Sequence, residues 1–112
     1  MMKTCGHTMG TPKMDIFQAI EFFASIGHQG IEVRCAADGQ LNPEAYDSGW
    51  GKRAVDKARA AGIEIACLTP YYRDFVNPAK RASELAAMRR VVDIAVELNC
   101  QRVRSYGGIT PS

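Results

Sequence analysis

The chain has 112 residues, with 14 Lys and Arg against 12 Asp and Glu for a formal charge of +2, and it is 46% hydrophobic and 23% charged. This balance belongs to an ordinary folded domain and excludes an acidic disordered tail, a collagenous chain and a disulfide-dense miniprotein. A charge of +2 also supplies too few phosphate contacts for a dedicated nucleic-acid binder unless the basic residues cluster.

At the amino terminus, residues 1–12 hold no apolar run that would form the core of a signal peptide. No later segment approaches the roughly 18 consecutive apolar residues of a membrane span. The four cysteines, at positions 5, 35, 67 and 100, form no CxxC pair. Reduced thiols in a cytoplasmic protein with no membrane partner are therefore expected. The near-regular cysteine spacing invites a zinc reading, but structural zinc sites bring their ligands in close pairs.

Met2 to Thr8 is a weak candidate for a first strand. Thr11-Pro12 then offers a helix N-cap followed by proline at the first helical position, and Gly27 closes that helix. Ile16, Ile20, Phe23 and Ala24, flanked by Phe17 and Phe22, give it a wide apolar face. A short β-branched strand follows at Gly30-Ile31-Glu32-Val33-Arg34-Cys35. The second helix is expected from about Ser48 to Ala61, with Trp50, Ala54, Val55, Ala58 and Ala61 on one side and Gly62 as its stop. Gly62-Ile63-Glu64-Ile65-Ala66-Cys67 echoes the earlier strand, and Cys100 to Ser105 echoes it more loosely, a repeat of about 31–38 residues. Between these two copies a third helix begins at Asn77-Pro78, runs through Leu85, Met88, Val92, Ala95 and Leu98, and ends at Asn99 as a left-handed cap.

The order β1-α1-β2-α2-β3-α3-β4 predicts an α/β fold of parallel (β/α) repeats in a single domain over residues 1–112. An open, doubly wound sheet covered on both faces has nearly continuous apolar strands. Here charge alternates: Glu32, Arg34, Glu64, Arg102 and Arg104 fall on one face. Ile31, Val33, Cys35, Ile63, Ile65, Cys67 and Val103 fall on the other. Such a mixed ionic face suits the inside of a barrel better than an open sheet, and the first half of a TIM barrel is the expected architecture.

Parallel architectures place ligands at the carboxyl ends of their strands. The residues found there are His7 and Thr8, then Arg34 to Asp38, then Thr69 to Asp74, then Tyr106, Gly107 and Gly108. His7 is either a substrate ligand or a hydrogen-bonded strand-end histidine, whereas His28 follows the capping Gly27 and is expected on the surface. Glu32 is a candidate general base, or else the partner of an interior arginine. Tyr71 can stack on the apolar face of a sugar ring, while Tyr72 can equally anchor its loop. Gly107-Gly108 permits close backbone approach to a ligand. Nucleotide-binding, GxSxG and HExxH patterns are absent.

Three stretches resemble the xylose-isomerase-like TIM barrels, the superfamily of sugar phosphate isomerases and epimerases. They are Ala24 to Arg34, Ala60 to Leu68, and Glu84 to Leu98 running into Arg102-Val103-Arg104-Ser105-Tyr106-Gly107-Gly108. The Gly-Ile-Glu-Val-Arg end of the second strand is the most specific of these. The resemblance covers nearly the whole chain but only the first half of the family's barrel. It implies ketose–aldose isomerisation or ketose epimerisation, by metal-assisted proton transfer next to a carbonyl of a sugar or sugar phosphate. A divalent cation (Mn²⁺, Mg²⁺, Co²⁺ or Zn²⁺) is implied for the complete barrel, with ligands on later strands that no residue here matches. His7, Arg34, Tyr71, Arg104, Gly107 and Gly108 are carried over as substrate-side positions, and Glu32 as the candidate catalytic residue. An ion pair of Arg34 or Arg104 with Glu32 or Glu64 is the alternative. Inosose dehydratases and abasic-site endonucleases share this barrel, and the latter need several metal-binding histidines where only His7 is suitably placed.

A barrel of this kind normally needs roughly 250 residues. Two expectations follow: an inactive amino-terminal half of a longer enzyme, or a free-standing half-barrel that self-associates as a binding or structural module to cover its open edges. The ending Ile109-Thr110-Pro111-Ser112, where a loop should lead into the next helix, favours truncation.

Overall fold

The computed structural model describes residues 4–105. Strand β1 (Cys5–His7) leads through a 3-10 turn at Thr8–Gly10 to α1 (Ile16–Ser25), followed by β2 (Gly30–Cys35), α2 (Ser48–Ala61), β3 (Glu64–Pro70) and α3 (Pro78–Glu97). The strands form one parallel sheet in the order β1-β2-β3.

The fourth repeat is weaker than expected. Cys100 to Ser105 does not form a full strand, but Val103 makes a single parallel bridge to Leu68. Two backbone bonds hold it, Leu68 N–H to the Arg102 carbonyl at 3.1 Å and Arg104 N–H to the Leu68 carbonyl at 2.9 Å. This bridge decides the topology. In the common doubly wound sheets the fourth strand lies beside the first, or the third lies beside the first. Here each new segment adds on the far side of its predecessor, as barrel closure requires.

Local chemistry explains the helix boundaries. Asp15, and not Thr11, caps α1: its carboxylate accepts the Gln18 N–H at 2.8 Å, and the Gln18 side chain accepts the Asp15 N–H at 3.0 Å. This reciprocal capping box satisfies two otherwise orphaned donors, which Thr11-Pro12 cannot do from within a turn. Asp47 caps α2, and Gly62 ends it in the left-handed region at φ 72°, where a side chain would be strained. Asn77 caps α3 with Pro78 at its start, and Asn99 follows it at φ 55°.

The core lies between the sheet and the helix layer. Ile16, Ala19, Ile20 and Phe23 of α1 and Ala54 and Ala58 of α2 are buried against Ile31, Val33, Ile65 and Leu68. Neighbouring helices are joined by an edge-on contact of Phe17 with Trp50, ring centroids 6.3 Å apart, and by a Lys57–Glu21 ion pair. In α3 the buried residues are Val91, Ile94 and Ala95, with Leu98 buried just past its end; Leu85 and Val92, expected inside, are 44% and 46% exposed, and Val96 is 72% exposed. Apolar residues occur nearly all round this helix, so periodicity alone does not choose the stripe that meets the sheet. His28 is also less exposed than expected, with its ring 5.5 Å from that of Phe23. Among the described residues no helix is long and apolar enough to cross a membrane.

The two faces of the sheet separate as the charge alternation implies, with one correction. The β2–β3 register slips between Ile31 and Glu32: Ile31 is opposite Ile65, but Glu32 is opposite Cys67. Ala66 is thus an extra residue in β3, and it inverts the side-chain alternation beyond it. Cys67 joins the polar face beside Glu32, and Leu68, fully buried, replaces it on the helix side. The bulge also places Thr69 opposite Arg34, at the strand end where ligand sites form.

Candidate functional site

At the carboxyl ends of the strands a set of hydrogen bonds ties the three βα junctions together. The His7 ring ends β1. Its Nδ1 accepts the Met9 N–H at 2.9 Å, which leaves the proton of the neutral ring on Nε2. Nε2 lies 3.1 Å from the Thr69 hydroxyl, which donates in turn to the Val33 carbonyl at 3.0 Å. The direction is therefore set: His7 Nε2–H donates to Thr69, and Thr69 donates to the backbone of β2. Burial lowers the His7 pKa, with Arg104 and Arg34 acting in the same direction against the opposing pull of Glu32. The neutral ring is the form this network needs. Of the two readings of His7, the hydrogen-bonded strand-end histidine describes its geometry.

Thr8 follows, fully buried, and its hydroxyl accepts the Arg34 N–H at 2.8 Å. Gln40, in the loop after β2, points its amide nitrogen at three carbonyls of the β1–α1 connection: Thr8 at 3.1 Å, Thr11 at 2.9 Å and Met14 at 3.1 Å. One side chain thereby pins the whole β1–α1 loop.

Arg34 pairs with Asp38 at 2.9 Å rather than with Glu32. The contact holds the exposed Asp38 carboxyl below its usual pKa, first through the hydrogen bond to Arg34 and then through its charge. The Arg34 guanidinium carbon lies 5.3 Å from the centroid of the Tyr71 ring, and that of Arg104 lies 4.7 Å from the same centroid. Arg104 also donates from Nη2 to the Pro70 carbonyl at 3.1 Å. Cation–π attraction makes Tyr71 the common platform of both arginines. Tyr72, by contrast, is half-buried against the hydrophobic core and serves as the loop anchor. A recess of about 570 Å³ opens among these junctions, lined by Met9, Pro12, Arg34, Asp38, Gln40 and Tyr71.

Of the positions singled out from sequence, Arg34, Tyr71 and Arg104 are thus brought together, with His7 bound into the network behind them. Glu32 stands half-buried opposite His7 on β1 and Cys67 on β3. Burial, then the charge of Glu32, raises the pKa of Cys67, so its thiol stays protonated at neutral pH. Gly107 and Gly108 lie outside the described residues. Gln40 and the wiring role of Thr69 were missed by sequence reasoning, because a lone Gln in a loop carries no local signal for the carbonyls it will meet. Among the described residues no group of three or more His, Cys, Asp and Glu side chains could hold a metal ion.

Comparison with known proteins agrees with this architecture. Among curated protein sequences none matches the chain. The xylose isomerase domain protein of Planctomyces limnophilus superposes with a TM-score of 0.75 at 15% identity, over 98% of this chain and 42% of that one. D-psicose 3-epimerase, solved in the presence of D-fructose, gives 0.74 at 18% identity over 91% of this chain and 36% of that one. The probable 3-DHS dehydratase involved in petrobactin synthesis from Bacillus anthracis gives 0.74 at 16% identity, over 92% and 37%. The chain therefore spans 36–42% of the length of these structures. A family model described as xylose isomerase-like TIM barrel matches residues 20–112, and with the strand order and the register of the sheet this shows that the chain belongs to that family, as an amino-terminal part of its barrel.

Proposed function

We propose that this chain forms the substrate-holding part of an isomerase or epimerase that acts on a sugar or sugar phosphate by proton transfer next to a carbonyl. The observation that carries this reading is the recess at the strand ends, where Arg34, Asp38, Gln40 and Tyr71 converge from successive βα junctions of a barrel. Its relatives of known structure include an epimerase and a dehydratase. In such a reaction a carboxylate takes a proton from the carbon beside the carbonyl. In isomerisation a proton is returned to the neighbouring carbon; in epimerisation a second acid, on the opposite side of the substrate, delivers a proton to the other face of the same carbon. Glu32, a carboxylate of the polar sheet face that stands opposite His7, is assigned to that transfer or to orienting the substrate. Gln40 and the His7–Thr69 network keep the three junctions in register, while the Tyr71 ring, taken up by the two arginines rather than free to stack on a sugar, lines the recess.

A divalent cation (Mn²⁺, Mg²⁺, Co²⁺ or Zn²⁺) would polarise the carbonyl in this family of reactions. The described residues do not fit one, so this reading places its ligands on other strands of the barrel and routes no step of this chain through it.

Ketoses and ketose phosphates are to be incubated with the full-length protein in D₂O and exchange of the proton beside the carbonyl followed by NMR. Exchange that is lost on chelation and restored by Mn²⁺ or Co²⁺ is the expected result. Undiminished turnover after exhaustive EDTA treatment and dialysis, or no exchange with any substrate of either class, refutes the proposal. The exposed Leu85, Val92 and Val96 on α3 favour a second reading, a self-associating half-barrel without catalysis. A monomer on a sizing column excludes that reading.

A further inference from the structure

We propose that the recess over Tyr71 is an anion subsite that takes the carboxylate or phosphate group of the substrate. Arg34 is its counter-charge, the Tyr71 hydroxyl its hydrogen-bond donor, and Asp38 a removable occupant of the guanidinium. The inference deepens the proposed function by naming the class of substrate, and it rests on that reading only for where the substrate lies.

Three observations converge. The Tyr71 hydroxyl is buried and, although the Arg34 guanidinium approaches its oxygen, makes no well-aligned hydrogen bond among the described residues, so its own proton is left to donate; its ring lines the recess. A buried hydroxyl without a partner is uncommon and calls for a ligand or water to satisfy it. Two guanidiniums then lie on that one ring, Arg34 at 5.3 Å and Arg104 at 4.7 Å. Both positive charges are held beside that donor by contacts of their own: the Arg34 guanidinium by Asp38, and Arg104 Nη2 by the Pro70 carbonyl.

The third observation is the unequal footing of the Arg34–Asp38 pair. The Arg34 side chain is 26% exposed, whereas that of Asp38 is 81% exposed, and one carboxylate oxygen meets one guanidinium nitrogen at 2.9 Å. An exposed pair of this kind is weak, because water and salt compete with it. The planar guanidinium is built for two parallel bonds, which a phosphate or a carboxylate entering the recess can supply. A neutral polyol can satisfy the Tyr71 hydroxyl but not the charge. In this arrangement Asp38 keeps Arg34 oriented and swings out when a better anion arrives.

The test uses the full-length protein at constant ionic strength, titrated with inorganic phosphate, acetate and D-fructose while the backbone amide resonances of residues 34 and 71 are followed by NMR. An anion is expected to bind at least tenfold more tightly than D-fructose. Arg34→Gln should weaken that binding at least tenfold, and Tyr71→Phe several-fold. Asp38→Asn should tighten it several-fold, since it removes the competitor and leaves the recess unchanged. Tighter phosphate assigns a phosphorylated sugar and tighter acetate a sugar acid, and either supports the subsite. Equal binding of D-fructose and the anions overturns the proposal, as does weaker anion binding in Asp38→Asn. Because Asp38→Asn acts by gain, a fold disturbed in Arg34→Gln cannot imitate the expected pattern. Anion binding without proton exchange on any substrate would leave the subsite standing and refute the isomerase reading alone.

Discussion

Replacing Gln40 tests whether a single amide organises the mouth of the barrel. Its nitrogen faces the carbonyls of Thr8, Thr11 and Met14 at 3.1, 2.9 and 3.1 Å, but an amide group has only two hydrogens, so one of them is shared. Two full bonds at a net value of about 1 kcal/mol each set the loss in Gln40→Ala at about 2 kcal/mol. The loss is not larger because the Thr8 and Thr11 carbonyls keep backbone partners, Thr11 N–H and Met14 N–H, both at 3.0 Å. In urea, with a slope of about 2 kcal/mol per molar, the unfolding midpoint should fall by about 1 M. Gln40→Glu is the sharper control. It is nearly isosteric, yet it turns a donor into a carboxylate aimed at three carbonyl oxygens, so it should cost more than Gln40→Ala. A midpoint for Gln40→Ala within about 0.2 M of the parent, or a Gln40→Glu variant more stable than Gln40→Ala, would refute the reasoning.

Two further perturbations address the helix layer and the strand-end network. Gly51→Ala in α2 would ordinarily add about 1 kcal/mol of helix propensity. Here the new Cβ would lie 2.1 Å from the Tyr46 hydroxyl oxygen and 2.9 Å from its ring carbon, and overpacking of this kind costs about 1–3 kcal/mol. Net destabilisation is expected in urea unfolding, with the gain returning in a Tyr46→Ala background; stabilisation in the parent background contradicts the contact. The His7 pKa is lowered from its usual 6.5, chiefly by burial. Above that pH the ring is neutral in both states and folding gains nothing from titration; as pH falls through 6.5 the unfolded chain takes up the proton first, and stability drops until the folded ring is protonated too. His7→Asn retains an acceptor for the Met9 N–H without titrating, so it should lose less stability than the parent between pH 7.5 and pH 5.5; an equal loss in both shows that the transition belongs to another group.

Local chemistry in the sequence determines most of the elements. The run from Ser48 to Ala61 reads as a helix because its apolar spacing, its polar face and Gly62 agree, and the structure closes it at those residues. The alternation of Ile31, Val33 and Cys35 with Glu32 and Arg34 likewise shows that one face of the sheet meets helices and the other does not. Such features depend on neighbours a few positions apart and survive in a linear reading. The extra residue at Ala66 does not, because a register slip exists only relative to the partner strand; it alone moves Cys67 to the polar face and Thr69 to His7. The linear pattern puts Leu85 and Val92 on the inner stripe of α3, and only the surface supplied by the sheet selects Val91 and Ile94 in their place. Arg34 and Tyr71 were visible as residues at strand ends. Their shared ring face, the exposed Asp38 and the three carbonyls held by Gln40 arise from contacts between separate βα junctions, and those are set by tertiary structure.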